Sequence, residues 1–496
     1  MPLEIKVLSQ EVIERILAEA FQLLEKPGVK VQSGEARQLL GEAGAGVDNW
    51  SEVVHIPEKL ARQALQSVPT DFILYDQNGC PRINYYGKSR INNSRPVHFD
   101  PGSCGVYILD SKSMEHKLAL SGDLVQLIKI TEMLPAYDAQ STAVTCNDVP
   151  EEISDLYRLY LVLLFSSKPI VTGAFSIRTG IMMYELLQII AGSSEDFSHK
   201  PFAIFDVCPN PPLTWSEFGS QSLINLARRG VPAQIVSMPL AGATAPVTLI
   251  GAIVQHAAEC LSGITIHQLA HPGAPIVWGG APAIFDMRYG TTPMGAMETA
   301  LVDVGYAQVG QYLELPTHAY MGASDAKIVD AQAGMESILT MLIGALTGIN
   351  MISGAGMLDF LACQSPEKLV IDAEAIAMIK RFLRGIDTHT ETLATEMFAE
   401  FDFSGSFLKQ KITRQLFSLE QYFPSSIIDR GSIRAWQDSG HSDTFIRAKH
   451  KVQELINNYQ RPLKSHEQEN ALHEYIQFAA RNAGMKHLPP LEDHLS

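Results

Sequence analysis

Residues 318–359 read H-A-Y-M-G-A-S-D-A-K-I-V-D-A-Q-A-G-M-E-S-I-L-T-M-L-I-G-A-L-T-G-I-N-M-I-S-G-A-G-M-L-D. Just before them, Leu313 to Thr317 suits a buried strand, and a polar turn with Gly322, Ser324 and Asp325 follows. Ile328, Met335, Ile338, Leu339, Leu342, Ile343 and Leu346 then recur at helical spacing. Gly348 stops that helix, which starts near Ala326. Ile349 to Ser353 is a second strand, emptying into the turn Gly354-Ala355-Gly356. Strand, turn, helix and strand make one βαβ unit. Proteins built from such units place their chemistry in the turns beyond the strand ends.

The same rhythm extends upstream to about Ser121. Strand-like segments at Asp138–Thr145, Pro169–Gly173, Ala203–Val207, Ala233–Met238 and Pro275–Trp278 alternate with helical ones. With the two strands above that makes seven, and the alternation predicts a parallel sheet. Repeats over about 250 residues predict a closed α/β fold, a (β/α)8 TIM barrel, rather than an open Rossmann sheet. The eighth strand either precedes Ser121 or lies near Ile386. Phe72 to Asp110 has β patterning, with hairpin turns at Asn78-Gly79 and Pro101-Gly102. The expected organisation is an N-terminal region of helices and antiparallel β cap (1–120), a TIM-barrel catalytic domain (121–392) and a C-terminal helical extension (393–496). No fixed-period repeat or low-complexity segment stands out.

The chain has 496 residues, 46% of them hydrophobic, and a formal net charge of −16. That charge argues against nucleic acid or an anionic membrane as a partner and leaves room for a cationic substrate. Met1 to Leu24 is an acidic amphipathic pattern without the basic and apolar regions of a secretory signal. No run reaches the roughly 18 apolar residues that read as a membrane span. The six cysteines are scattered, which reads as reduced thiols and a cytoplasmic location. A barrel of this size is expected to form a homo-oligomer.

Residues just past barrel strands face the active end. That filter selects Thr172 and Gly173, Asp206 and Cys208, Met238 with Gly242 and Thr244, Trp278 with Gly279 and Gly280, Thr317 with His318 and Tyr320, and Ser353 with Gly354. The loop after Trp278 adds Phe285, Asp286 and Arg288. A dinucleotide fingerprint, a P-loop and a G-x-S-x-G elbow are all missing from the sequence. No zinc pattern appears, and His267 with His271, four apart near a helix end, is the one pair with metal-ligand spacing, so no metal is expected. Asp387-Thr388-His389 has the D-x-H start of a corrinoid-binding signature, but Thr392 stands where glycine belongs, and it reads as surface.

What remains is aromatic and acidic. Trp278, Phe285 and Tyr320 can offer ring faces to a cation, and Asp206 and Asp286 can offset its charge. Arg288, or the N-terminus of the helix near Ala326, can take a carboxylate. The alternatives are structural: Trp278 and Phe285 as packing, the aspartates as helix caps and His318 as a satisfied strand-end histidine. Catalytic residues are not assigned by this pattern.

Ser324 to Ser337, S-D-A-K-I-V-D-A-Q-A-G-M-E-S, and Asn350 to Asp359, N-M-I-S-G-A-G-M-L-D, closely resemble the trimethylamine methyltransferase family. The likeness continues through Leu369 to Glu374, L-V-I-D-A-E, and into the C-terminal F-P and D-R. It implies a TIM barrel that demethylates a methylated amine and passes the methyl group to the cobalt of a separate corrinoid protein, with no cofactor bound tightly in this chain. The family's trimethylamine enzymes use pyrrolysine, which is not written here. The resemblance is therefore to the non-pyrrolysine branch, which acts on quaternary amines in anaerobic methyl metabolism. Glycine betaine leads as substrate, with carnitine, γ-butyrobetaine and proline betaine behind it. Competing readings are a TIM-barrel lyase, for which Lys327 is the nearest lysine to the opening motif, and a betaine-binding protein.

Overall fold

The computed structural model describes residues 5–87, 96–399, 401, 403 and 406–490. Its centre is a ring of eight parallel strands: β1 His98–Pro101, β2 Gln140–Ser141, β3 Ile170–Thr172, β4 Ala203–Val207, β5 Ala233–Ser237, β6 Ile276–Gly280, β7 His318–Tyr320 and β8 Met351–Ala355. Parallel pairing runs from β2 through β3, β4 and β5 to β6, and from β7 through β8 to β1. A parallel bridge between Trp278 and Thr317 joins β6 to β7. The Asp138 N–H donates to Phe99 O at 2.8 Å between β1 and β2, which closes the ring. Each strand is followed by a helix: α1 Ser121–Met133, α2 Ser154–Phe165, α3 Ile177–Ala191, α4 Glu217–Arg228, α5 Leu249–Ala270, α6 Met297–Tyr312, α7 Ala331–Thr347 and α8 Pro366–Leu383. Among the described residues α5 alone is long and apolar enough to cross a membrane, and it is largely buried within the fold.

The eighth strand is β1, which precedes Ser121 and falls outside the 121–392 span expected for the barrel. Its sequence disguises it. Phe99 is packed in the main core, while His98 and Asp100, on the other face, are polar. Polar residues inside and an apolar residue outside invert the pattern by which strands are ordinarily recognised.

The hairpin Asp71–Tyr75 with Pro81–Tyr86 lies away from the active end. It closes the opposite end of the barrel. Tyr75 N–H donates to Pro201 O and Gln77 N–H to Ser167 O, both at 2.9 Å, and both acceptors precede strands. Leu74, Ile83 and Tyr85 enter the barrel and pack with Ala139, Val171, Ile204, Val277 and Met351, its lowest ring of inward side chains. The helices Gln10–Glu25 and Glu58–Ser67 pack on α5. Thr444–Asn458 packs on α8 and α1, and His466–Asn482 on α2 and α3.

The opening motif builds the loops at the active end. Ser324 Oγ donates to Glu336 at 2.6 Å, the Asp325 N–H donates to the same carboxylate at 2.8 Å, and Asp325 accepts the N–H groups of Met294 and Gly295. These bonds hold residues 324–330 as a loop. The helix therefore begins at Ala331, capped by Asp330, rather than near Ala326. Its positions Met335, Ile338 and Leu339, which carry the helical spacing, are exposed.

Lys368 on α8 is fully buried. It donates to Gly322 O after β7, to Ser337 Oγ on α7 and to Asp372 at 2.6 Å. Asp372 in turn accepts the Gly356 N–H after β8 at 2.7 Å. This ion pair ties the β7 and β8 loops to two helices. Lys368→Met leaves Asp372 buried without its countercharge and is expected to lower unfolding free energy by about 3–5 kcal/mol in denaturant titrations. Adding Asp372→Asn should recover part of that loss.

Candidate functional site

Side chains alternate along each strand, so residues two beyond the lowest ring also point inward. That second layer is polar. Asp100, Ser141, Asp206, Gln234, His318 and Ser353 belong to it, with Tyr320 just above. Asp206 accepts hydrogen bonds from Gln234 Nε2 at 2.7 Å and from the Tyr320 hydroxyl at 3.1 Å. Ser103, beyond β1, sits 3.2 Å from that hydroxyl and donates to it. Across the barrel, Ser353 Oγ donates to Asp100 at 2.5 Å and lies 3.0 Å from His318 Nε2. With Ser353 donating to Asp100, His318 donates through Nε2, and Nδ1 of the neutral ring is left as an acceptor.

The β6 backbone makes room for this ring: a Cβ on Gly279 would stand 2.8 Å from His318 Nδ1. Gly354 has φ +145°, and a Cβ there would meet Met321 O at 2.7 Å, so the bulge near the end of β8 requires glycine. His318 and Tyr320 meet edge to face, with centroids 5.1 Å apart.

Removal from water dominates the electrostatics. Burial pushes the Asp206 carboxyl up to about 7, with Gln234 and Tyr320 pulling the other way. Burial also raises Asp100 well above the usual carboxylate range, although the Ser353 bond opposes it, and the nearby Asp206 adds to the rise. The same burial lowers His318 to about 3, so its ring is neutral. The layer thus holds two carboxyl groups that readily keep their protons and that gain from a cation placed between them. Beyond it, Asp359, Phe360 and Leu361 take three consecutive left-handed conformations. Lys327 pairs with Asp359 at 3.1 Å and covers the Phe360 ring.

Of the residues chosen from the sequence, the barrel brings Asp206, His318 and Tyr320 together. His318 and Tyr320 lie within β7, not past a strand as their spacing implied. Trp278 faces the other way. It is buried in the main core, donates Nε1–H to Tyr306 O at 3.0 Å and packs beside His256. It therefore offers no face to the barrel interior. Phe285 is half-buried on the loop after β6. Asp286 and Arg288 on that loop bind each other at 2.6 and 3.0 Å, the Arg288 side chain is 80% exposed, and their pairing holds Asp286 at about 2. The arginine is thus committed to its neighbour at the rim. Asp100, Gln234 and Tyr85 were not among the sequence candidates. For Asp100 the usable signal was the polar-apolar-polar run His98-Phe99-Asp100 ahead of Pro101-Gly102. No group of three potential metal ligands occurs among the described residues, and Lys327 lies exposed and paired with Asp359.

A closed eight-stranded barrel with ionisable groups gathered at the C-terminal ends of its strands is a TIM-barrel enzyme. Residues 2–485 match the family described as trimethylamine methyltransferase (MTTB), and the chain belongs to that family. It is 32% identical over 468 residues to the trimethylamine methyltransferase MttB of Methanosarcina thermophila, covering 92% of this chain and 94% of that one. It is 26% identical over 480 residues to the glycine betaine methyltransferase of Desulfitobacterium hafniense, covering 96% and 98%. Among solved structures, the monomethylamine methyltransferase MtmB of Methanosarcina barkeri superposes with a TM-score of 0.51 at 12% identity, over 96% of this chain and 94% of that one, which establishes the shared fold. The chain is a methyltransferase.

Asp206 also makes stability depend on pH in a defined direction. Its ordinary value is 3.8, and its folded value is about 7. The folded chain keeps a proton that the unfolded chain releases, so this contribution is complete below about pH 4 and is lost as pH rises to 7. Relative to wild type, Asp206→Asn should gain stability over that window, by up to about 1.4 kcal/mol per pH unit. Melting curves of both proteins between pH 4 and 8 measure the difference.

Proposed function

We propose that this methyltransferase demethylates a quaternary amine, glycine betaine foremost, and delivers the methyl group to a separate corrinoid protein. The observation that carries this reading is the pair of buried Asp100 and half-buried Asp206 in a layer whose described members include no lysine or arginine. A quaternary ammonium has no N–H to donate, so it is held by opposing charge and by ring faces. Asp100 and Asp206 supply the charge, and Tyr320 and neutral His318 supply rings. The relationship to a glycine betaine methyltransferase supports this substrate, as does a chain of 496 residues with no pyrrolysine in it. Carnitine, γ-butyrobetaine, proline betaine and trimethylamine are the alternatives, the last favoured by the relatives that bear its name.

The chemistry asks little of the chain beyond placement. When the C–N bond breaks, its electron pair stays on nitrogen, which leaves as a neutral amine without acid assistance. The partner's corrinoid, as Co(I), supplies the nucleophile that accepts the methyl group. The barrel walls exclude water and hold one N–CH3 bond toward the open end. No side-chain nucleophile is required, in keeping with a layer that holds a neutral histidine and carboxyl groups whose part is to offset charge. We read the protein as a cytoplasmic homo-oligomer. The six free cysteines support the first, and the exposed stripe of Met335, Ile338 and Leu339 supports the second.

The test is anaerobic incubation of the purified protein with Co(I) cobalamin, or a native corrinoid partner, and each candidate amine. Substrate-dependent methylation of the corrinoid in the visible spectrum is the expected result. Silence with every amine and both acceptors overturns the reading. Asp206→Asn and Tyr320→Phe should each lower kcat/KM by about 10- to 100-fold, at 1.4 kcal/mol per tenfold. Binding of a cation favours the ionised carboxylate, so affinity for tetramethylammonium should rise with pH and level off above about 7. Asp206→Asn should flatten that rise in calorimetric titrations.

A further inference from the structure

Below the polar layer stands a residue that comes from outside the barrel. Tyr85 is carried by the hairpin that closes the lower end, and its side chain is fully buried among the lowest inward ring. Its ring stacks on Phe72, with centroids 4.7 Å apart and planes 11° apart, which fixes where the hydroxyl points. That hydroxyl has no hydrogen-bond partner among the described residues. Packed in the lowest inward ring, Tyr85 stands beneath the layer that holds Asp100 and Asp206, and both carboxyl groups help to raise the phenol above its usual range. Among the described residues His318 Nδ1 and Gln234 Oε1 also lack a partner, and both are acceptors. Tyr85 is thus an unused donor at the floor, beneath unused acceptors of the layer above. Folded interiors leave few such groups unpaired, and one fixed by ring stacking is available to a ligand.

We propose that Tyr85 is the floor of the substrate site and donates its hydroxyl hydrogen bond to an oxygen on the tail of the substrate, the end remote from the methylated nitrogen. The inference rests on the proposed demethylation and deepens it. The hairpin blocks the lower end, so the methyl group must face the open end for an acceptor carried by another protein. The rest of the molecule then points down. The unused acceptors of the layer suit the positively polarised methyl groups, and the donor below suits a carboxylate. A zwitterion with a short oxygen-bearing tail satisfies both, whereas trimethylamine has nothing to reach Tyr85. The phenol keeps its proton, because burial raises it well above its usual range, and so remains a donor.

Calorimetric binding of glycine betaine and of tetramethylammonium to the full chain tests this, using wild type and Tyr85→Phe. Wild type should bind glycine betaine at least about tenfold more tightly than tetramethylammonium, and Tyr85→Phe should weaken glycine betaine by about tenfold while leaving tetramethylammonium within about twofold. Melting curves establish that the variant is folded. If it is not, the ligand comparison on wild type decides, and equal affinities overturn the proposal. An equal effect of Tyr85→Phe on both ligands, or on neither, overturns the tail contact and leaves the cation site standing. Binding of neither ligand to wild type overturns the cation site itself, and the tail contact with it.

Discussion

The pairing of β8 with β1 brings the eighth strand into the barrel and makes the site in one step. Its register sets Met351 beside His98, Ile352 beside Phe99 and Ser353 beside Asp100. The outward residues Ile352 and Phe99 join the core under the helices, while Ser353 and Asp100 are forced inward and bond to each other. A slip by one residue would reverse every side chain and bury these polar groups against the helices. The barrel's stability and the position of its ionisable groups therefore depend on the same few hydrogen bonds.

Once the ring is closed, desolvation governs the chemistry. Two carboxyl groups without a basic partner in their layer are costly to ionise, and a histidine among them stays neutral. Such a site is well suited to a permanent cation, which restores the missing charge. The costs of this layer are offset elsewhere. The hairpin packs Leu74 and Ile83 beneath it, and Lys368 with Asp372 holds the loops above it.

The motifs by which the family is recognised are mostly braces. Ser324, Asp325, Asp330, Glu336 and Asp372, with Lys368 just ahead of the third run, make hydrogen bonds that shape the loops after β7 and β8. Loop backbone has many polar groups to satisfy, and the side chains that satisfy them must have a set length and charge. Residues facing a ligand answer to the ligand instead, and Tyr320 and Asp206 stand outside those runs.

Alternating strand and helix patterns along residues 121–392 were enough to identify the parallel barrel, because a helix packed on a sheet must repeat its apolar residues at fixed spacing. They were enough, too, to place Asp206, His318 and Tyr320 near strand ends. Three features were decided only in three dimensions. Strand β1 was hidden because its inward residues are polar. Trp278 was misjudged because position near a strand end does not say which face a side chain takes, and β6 turns it toward α5 and α6. Tyr85 was invisible as a site residue because it lies in a separate hairpin, and only the closing of the barrel from below brings its hydroxyl under Asp100 and Asp206. Local sequence determines spacing along an element, whereas the direction of a side chain and its distant neighbours follow from how the elements close on one another.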